Sequence, residues 1–124
     1  SGQVLYLLPL AFFLLMLTAG FTEEFFFRGF LQTRPEVLSG SKWMALVVTS
    51  LCFGLYHIPY AYLNPNCPSA GDFSAALMSA MGQGVAGGLV LGGLYIGTKR
   101  NLVPCVILHS SINALPAMTL IGTR

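Results

Sequence analysis

The chain has 124 residues and a formal net charge of +2, with 55% hydrophobic and only 8% charged residues. Soluble domains carry about 25% charged residues, so this composition excludes a water-coated globule and makes lipid the expected solvent. The charge is too small and scattered for a nucleic-acid surface, and no Lys/Arg run occurs, so no nucleic-acid partner is expected.

Length suggests one domain, 1–124. Because it opens on Ser1 rather than Met, it is read as a fragment of a longer chain. The first apolar run lacks a basic n-region and continues past two glutamates, unlike a cleaved signal. Cys52, Cys67 and Cys105 are odd in number and lack paired spacing, so three free thiols are expected.

The first apolar run extends from about Val4 to Leu31 and contains Glu23, Glu24 and Arg28. It is near or above the roughly 20 residues that span a bilayer as a helix. Glu24 and Arg28, four apart, share a helix face and neutralise each other. Glu23 points about 100° away and has no local cation. The two carboxylates therefore divide: Glu24 is an Arg-paired orienter, and the desolvated Glu23 suits a general base acting on water. A polar turn with both helix breakers, Arg34 to Lys42, is expected next.

The second run, about Trp43 to Leu63, carries His57 with Phe53 one turn before it and Pro59 just after. Phe53 can wall the imidazole from lipid, and Pro59 loosens the helix near it. Asn64 to Asp72 forms the second polar connection. The third run, about Phe73 to Thr98, repeats glycine every four residues at Gly84, Gly88 and Gly92, and again at Gly93 and Gly97. Such spacing lets helices approach closely in lipid, within one protein or between copies.

Lys99-Arg100-Asn101 makes a tight third connection, and Pro104 falls in the opening turn of the last run, about Leu102 to Ile121. That run carries His109 and Asn113 on one face, with Pro116 following. Both can donate hydrogen bonds to an oxyanion or act as interhelical polar glue. The four runs lack the two-residue alternation of strands. The expected fold is all-α, a polytopic bundle of about four membrane-spanning helices.

Basic residues flank the first and third connections and are absent from the second, which places the first and third on the cytoplasmic side. Arg124 is the one exception. At 1.5 Å per residue, Glu23 lies about 15 Å, His109 about 12 Å and His57 about 21 Å from the cytoplasmic ends. Ionisable groups in a membrane helix cost on the order of 3 kcal/mol each and are functional hypotheses by default. Here a carboxylate, two imidazoles and an amide approach one level.

These residues resemble a known family. Glu23-Glu24-Phe25-Phe26-Phe27-Arg28, Phe53-Gly54-Leu55-Tyr56-His57 and His109-Ser110-Ser111-Ile112-Asn113, in this order, look like the EExxxR, FxxxH and HxxxN motifs of the CAAX prenyl protease type 2 and bacteriocin-processing (CPBP) intramembrane endopeptidases. The resemblance spans residues 20 to 115 and implies cleavage of a peptide bond in a membrane-associated peptide or protein. In that reading Glu23 activates water, His57 and His109 position it or bind the oxyanion, Asn113 assists, and Glu24 and Arg28 hold the geometry. Zinc is the candidate cofactor, with Glu23, His57 and His109 as its ligands and a fourth position open. Yet HExxH is absent and Asn ligates zinc poorly, so metal dependence stays open. The implied location is the inner membrane of a prokaryote, with the site nearer the cytoplasmic side. The competing readings are a non-catalytic immunity or scaffold protein that binds a peptide in the same cavity, and a proton relay.

Overall fold

A computed structural model describes the backbone of residues 2–122 and the side chains of residues 6–116. Arg124, the exception to the charge pattern, lies outside them. Helices and turns account for the described residues, with no strand among them. Three helices are long and apolar enough to cross a membrane, and a fourth contains the shorter apolar stretch Leu102–Pro116. The all-α membrane bundle expected from composition is the observed fold.

Helix α1 is built from Gly2–Leu15, a π-helical turn Met16–Gly20, Phe21–Glu24, a second π-helical stretch Phe25–Leu31, and Thr33–Ser39. It corrects the expected first turn. The rod passes through Arg34, Pro35 and Glu36 and stops only at Gly40, whose φ of +69° suits glycine and whose N–H bonds Glu36 O at 2.8 Å. Pro35 is tolerated because it follows a stretch whose ladder is already shifted, with Gln32 N bonding Phe27 O five residues back at 2.8 Å.

Helix α2 covers Lys42–Tyr56 and Ile58–Leu63 and breaks at His57. Ser41 starts it, its hydroxyl accepting from Met44 N at 3.2 Å. Pro59 sits in the opening turn of the second part, where a missing N–H costs nothing. Helix α3 comprises Phe73–Ser79, a π-helical turn Ala80–Gly84, and Val85–Gly97. Asp72 caps it through Ala75 N at 3.0 Å. Lys99 and Arg100 both adopt positive φ in the turn to α4, Leu102–Gly122. Arg100 donates to Glu36, so the first and third turns lie at the same end of the bundle. The Glu36 carboxylate holds the Arg100 guanidinium charged more firmly than usual, raising its pKa.

Lipid explains the surface. Phe13, Leu14, Leu17, Phe21 and Phe25 of α1 are about half exposed, and α2 and α3 present similar faces. Soluble monomers rarely expose so continuous an apolar surface. The buried core is small: Phe27, Phe53, Leu91, Tyr95 and Cys105. Cys52, Cys67 and Cys105 are all free thiols, as expected.

The glycine stripe of α3 packs inside the protein. A Cβ on Gly84 would come within 2.8 Å of Gly54 Cα, one on Gly88 within 2.8 Å of Ser50 Cα, and one on Gly92 within 2.5 Å of Leu46 Cδ1. Gly54, Ser50 and Leu46 are themselves four apart on α2, so the glycine ridge of α3 lies face to face with one row of α2. Gly93 and Gly97 have nothing within 4 Å. Gly20 does the same for α1 and α4, since a Cβ there would fall 2.2 Å from Ser110 Oγ.

Candidate active site

The polar residues of α1 are held by the backbone of α3. Arg28 donates through Nη1 to Glu24 Oε1 and through Nη2 to Gly88 O, both at 3.1 Å. One turn on, Gln32 Nε2 donates to Gly92 O at 3.4 Å. Glycine makes both bonds accessible, because any side chain at 88 or 92 would keep α1 and α2 away. Arg28 also lies 4.6 Å above the Phe53 ring, so its unbonded face meets a π surface rather than lipid. Glu24 and Arg28 are both fully buried.

Glu24 has a second partner that spacing within α1 did not reveal. His109 Nδ1, from α4, lies 2.7 Å from Glu24 Oε1. The carboxylate accepts, so Nδ1 carries the hydrogen and Nε2 faces the other way. His57 is fixed similarly, with Nδ1 donating to Phe53 O at 2.7 Å, a bond the break in α2 permits. Phe53 also packs both imidazoles, at 4.5 Å from the His57 ring and 5.7 Å from the His109 ring, so it walls two histidines and not one.

The two Nε2 atoms converge on Glu23. Its Oε2 is 3.8 Å from His57 Nε2 and 3.7 Å from His109 Nε2, too far for direct hydrogen bonds. Oε2 is buried and no protein group bonds it among the described residues. In their neutral tautomers the three atoms are all acceptors around one point, and a water there donates its two hydrogens to two of them.

Asn113 lies one turn beyond His109 and lines the same cavity, of about 230 Å³, together with His57 and His109. The structure thus brings together Glu23, Glu24, Arg28, His57, His109 and Asn113, from α1, α2 and α4. His57, the deepest by counting along the chain, is level with Glu23. Sequence reading missed the contribution of α3 to this cavity. Ser79, Ala80, Gln83, Gly84 and Gly87 line it, and the lone carboxamide Gln83 in an apolar run was the available signal.

The atoms considered as zinc ligands, Glu23 Oε2 and the two Nε2 atoms, stand somewhat wider than a tetrahedral site. Tetrahedral zinc with ligands about 2.1 Å away holds donor atoms about 3.4 Å apart, closer than the 3.7 and 3.8 Å found around Glu23. Among the described residues, no group of three or more His, Cys, Asp or Glu is arranged to hold a metal ion.

In this apolar helical bundle a carboxylate thus stands near two imidazoles that line a cavity. Residues 5–115 match the type II CAAX prenyl endopeptidase Rce1-like family. The chain belongs to this family, and its function is of the CAAX-type intramembrane protease kind. No curated protein and no solved structure matches it.

Proposed function

We propose that the chain carries the catalytic centre of an endopeptidase that hydrolyses a peptide bond of a membrane-associated substrate, with Glu23 as the base. The observation that supports this is the convergence of Glu23 Oε2 and two outward-turned Nε2 atoms beside a cavity. The family points to a prenylated C-terminus as the substrate class.

A water between Glu23 and His57 donates one hydrogen to each. As its oxygen attacks the scissile carbonyl carbon, Glu23 takes the proton and the carbonyl oxygen becomes an oxyanion. His109 Nε2–H and the Asn113 amide donate to that oxyanion. Donation from His109 requires a second ring proton, and the Glu24 carboxylate on Nδ1 offsets the charge of that imidazolium. Two glutamates, Arg28 and a protonated His109 then sum to zero, as a low-dielectric site needs. The tetrahedral centre collapses, the C–N bond breaks, and the proton on Glu23 passes to the leaving amine. Glu24 and Arg28 touch no substrate; they orient His109. The basic residues of the first and third turns support a site nearer the cytoplasmic face, and the proposed location is a prokaryotic inner membrane.

The test uses purified full-length protein in liposomes and a peptide ending in S-farnesylcysteine followed by three residues, with products read by mass spectrometry. The parent releases the terminal tripeptide, and His57→Ala and His109→Ala each slow release by about 10²-fold or more. No cleavage, or cleavage indifferent to both substitutions, contradicts the reading and favours a peptide-binding role without chemistry.

A further inference from the structure

One wall of the cavity is formed by α3. Of its lining residues, Ala80, Gly84 and Gly87 offer little or no side chain. A Cβ on Gly87 would meet nothing closer than Phe53 Cε1 at 3.8 Å, so the glycine leaves room that a side chain would fill. Gln83 stands on this wall between Ser79 and Gly87, in the middle of an apolar span.

Two facts about Gln83 need a cause. A carboxamide within a membrane helix is costly unless bonded, and such groups face a partner helix or a polar cavity. Gln83 faces the cavity, and its side chain bonds no protein group among the described residues. It also lies on the π-helical turn Ala80–Gly84. A π turn inserts one residue into the helix and rotates the following side chains. Gly84, Gly88 and Gly92 meet α2, and Gln83, within the π turn, lines the cavity.

We propose that Gln83 is a substrate-binding residue that pairs with the main-chain N–H and C=O of one residue of an extended substrate lying along α3. Its amide oxygen accepts the N–H and its amide nitrogen donates to the C=O of that residue, which point to the same side of an extended chain. The bare Gly87 leaves room for the chain beside it. The hydrogen bonds go to main chain, so Gln83 fixes register without selecting a side chain. This inference rests on the endopeptidase reading given above.

The experiment uses full-length protein and the farnesylated peptide, plus analogues in which each main-chain N–H near the scissile bond is replaced in turn by an ester oxygen. Gln83→Leu raises KM by about tenfold, the size of one hydrogen bond of about 1.4 kcal/mol, and leaves kcat and thermal unfolding close to the parent's. One ester position weakens the parent and leaves Gln83→Leu unaffected. An unchanged KM, equal ester penalties in both proteins, or a fall in kcat together with stability overturns the assignment. If the parent cleaves nothing, the endopeptidase reading fails and binding decides Gln83 separately. Ester-sensitive binding of the intact peptide to the Glu23→Gln protein, lost in the Gln83→Leu double variant, supports it. Equal binding, or none, overturns it.

Discussion

Glu23 and Glu24 are neighbours in sequence and belong to two different regions of the molecule. Glu24 is fully buried, and its Oε1 accepts from Arg28 and His109, so α1 and α4 meet on one oxygen and a glycine carbonyl of a third helix, α3, braces the arginine. Glu23 is partly open, stands beyond hydrogen-bonding reach of both imidazoles, and lies beside the cavity. The closed region is a framework tied through Glu24 Oε1 and the Arg28 Nη atoms, with Glu24 Oε2 and Arg28 Nε left unbonded, and the open region keeps its acceptors for water and substrate. One residue of helical rotation, about 100°, separates the two roles.

The largest effect on stability is expected where the framework loses a charge. Glu24→Leu leaves Arg28 buried without its anion and His109 without its acceptor. Breaking a buried pair costs about 3–5 kcal/mol, so unfolding in detergent shifts far down, whereas Glu23→Gln unfolds close to the parent. Equal shifts for the two would erase the distinction between the regions. Next is the α2–α3 contact. Gly88→Ala drives a Cβ to 2.8 Å from Ser50 Cα, beside the carbonyl that Arg28 uses. Overpacking of this kind costs about 1–3 kcal/mol, and Gly93→Ala, with nothing within 4 Å, serves as the neutral control.

Much of this was legible in the sequence, and the reasons differ by feature. Glu24 and Arg28 announced their pairing because a helix puts residues four apart on one face. The four apolar runs were visible because lipid demands uninterrupted hydrophobicity. The Glu24–His109 bond was not visible, since residues on α1 and α4 meet only through packing. The end of α1 was misplaced because Arg34 and Pro35 read as a stop, while the π-helical stretch before them absorbs the proline. Gln83 went unnoticed because the glycine pattern dominated the reading of α3.

Smaller effects sharpen the picture. Arg100→Gln removes a half-exposed pair with Glu36, worth about 0–1 kcal/mol, and leaves the cleavage rate unchanged. Chelation of divalent metals is expected to have no effect on rate, because water is activated by Glu23 and oriented by His57. Complete loss on chelation, restored by zinc, would move Glu23, His57 and His109 into the role of ligands.

The central claim is that Glu23, and not its neighbour, takes the proton. The direct measurement is the single-turnover cleavage rate of the farnesylated peptide by full-length Glu23→Gln protein whose unfolding temperature matches the parent's. The account predicts a rate lower by about 10²-fold or more, with peptide binding retained. Cleavage at the parental rate by that folded variant would contradict it.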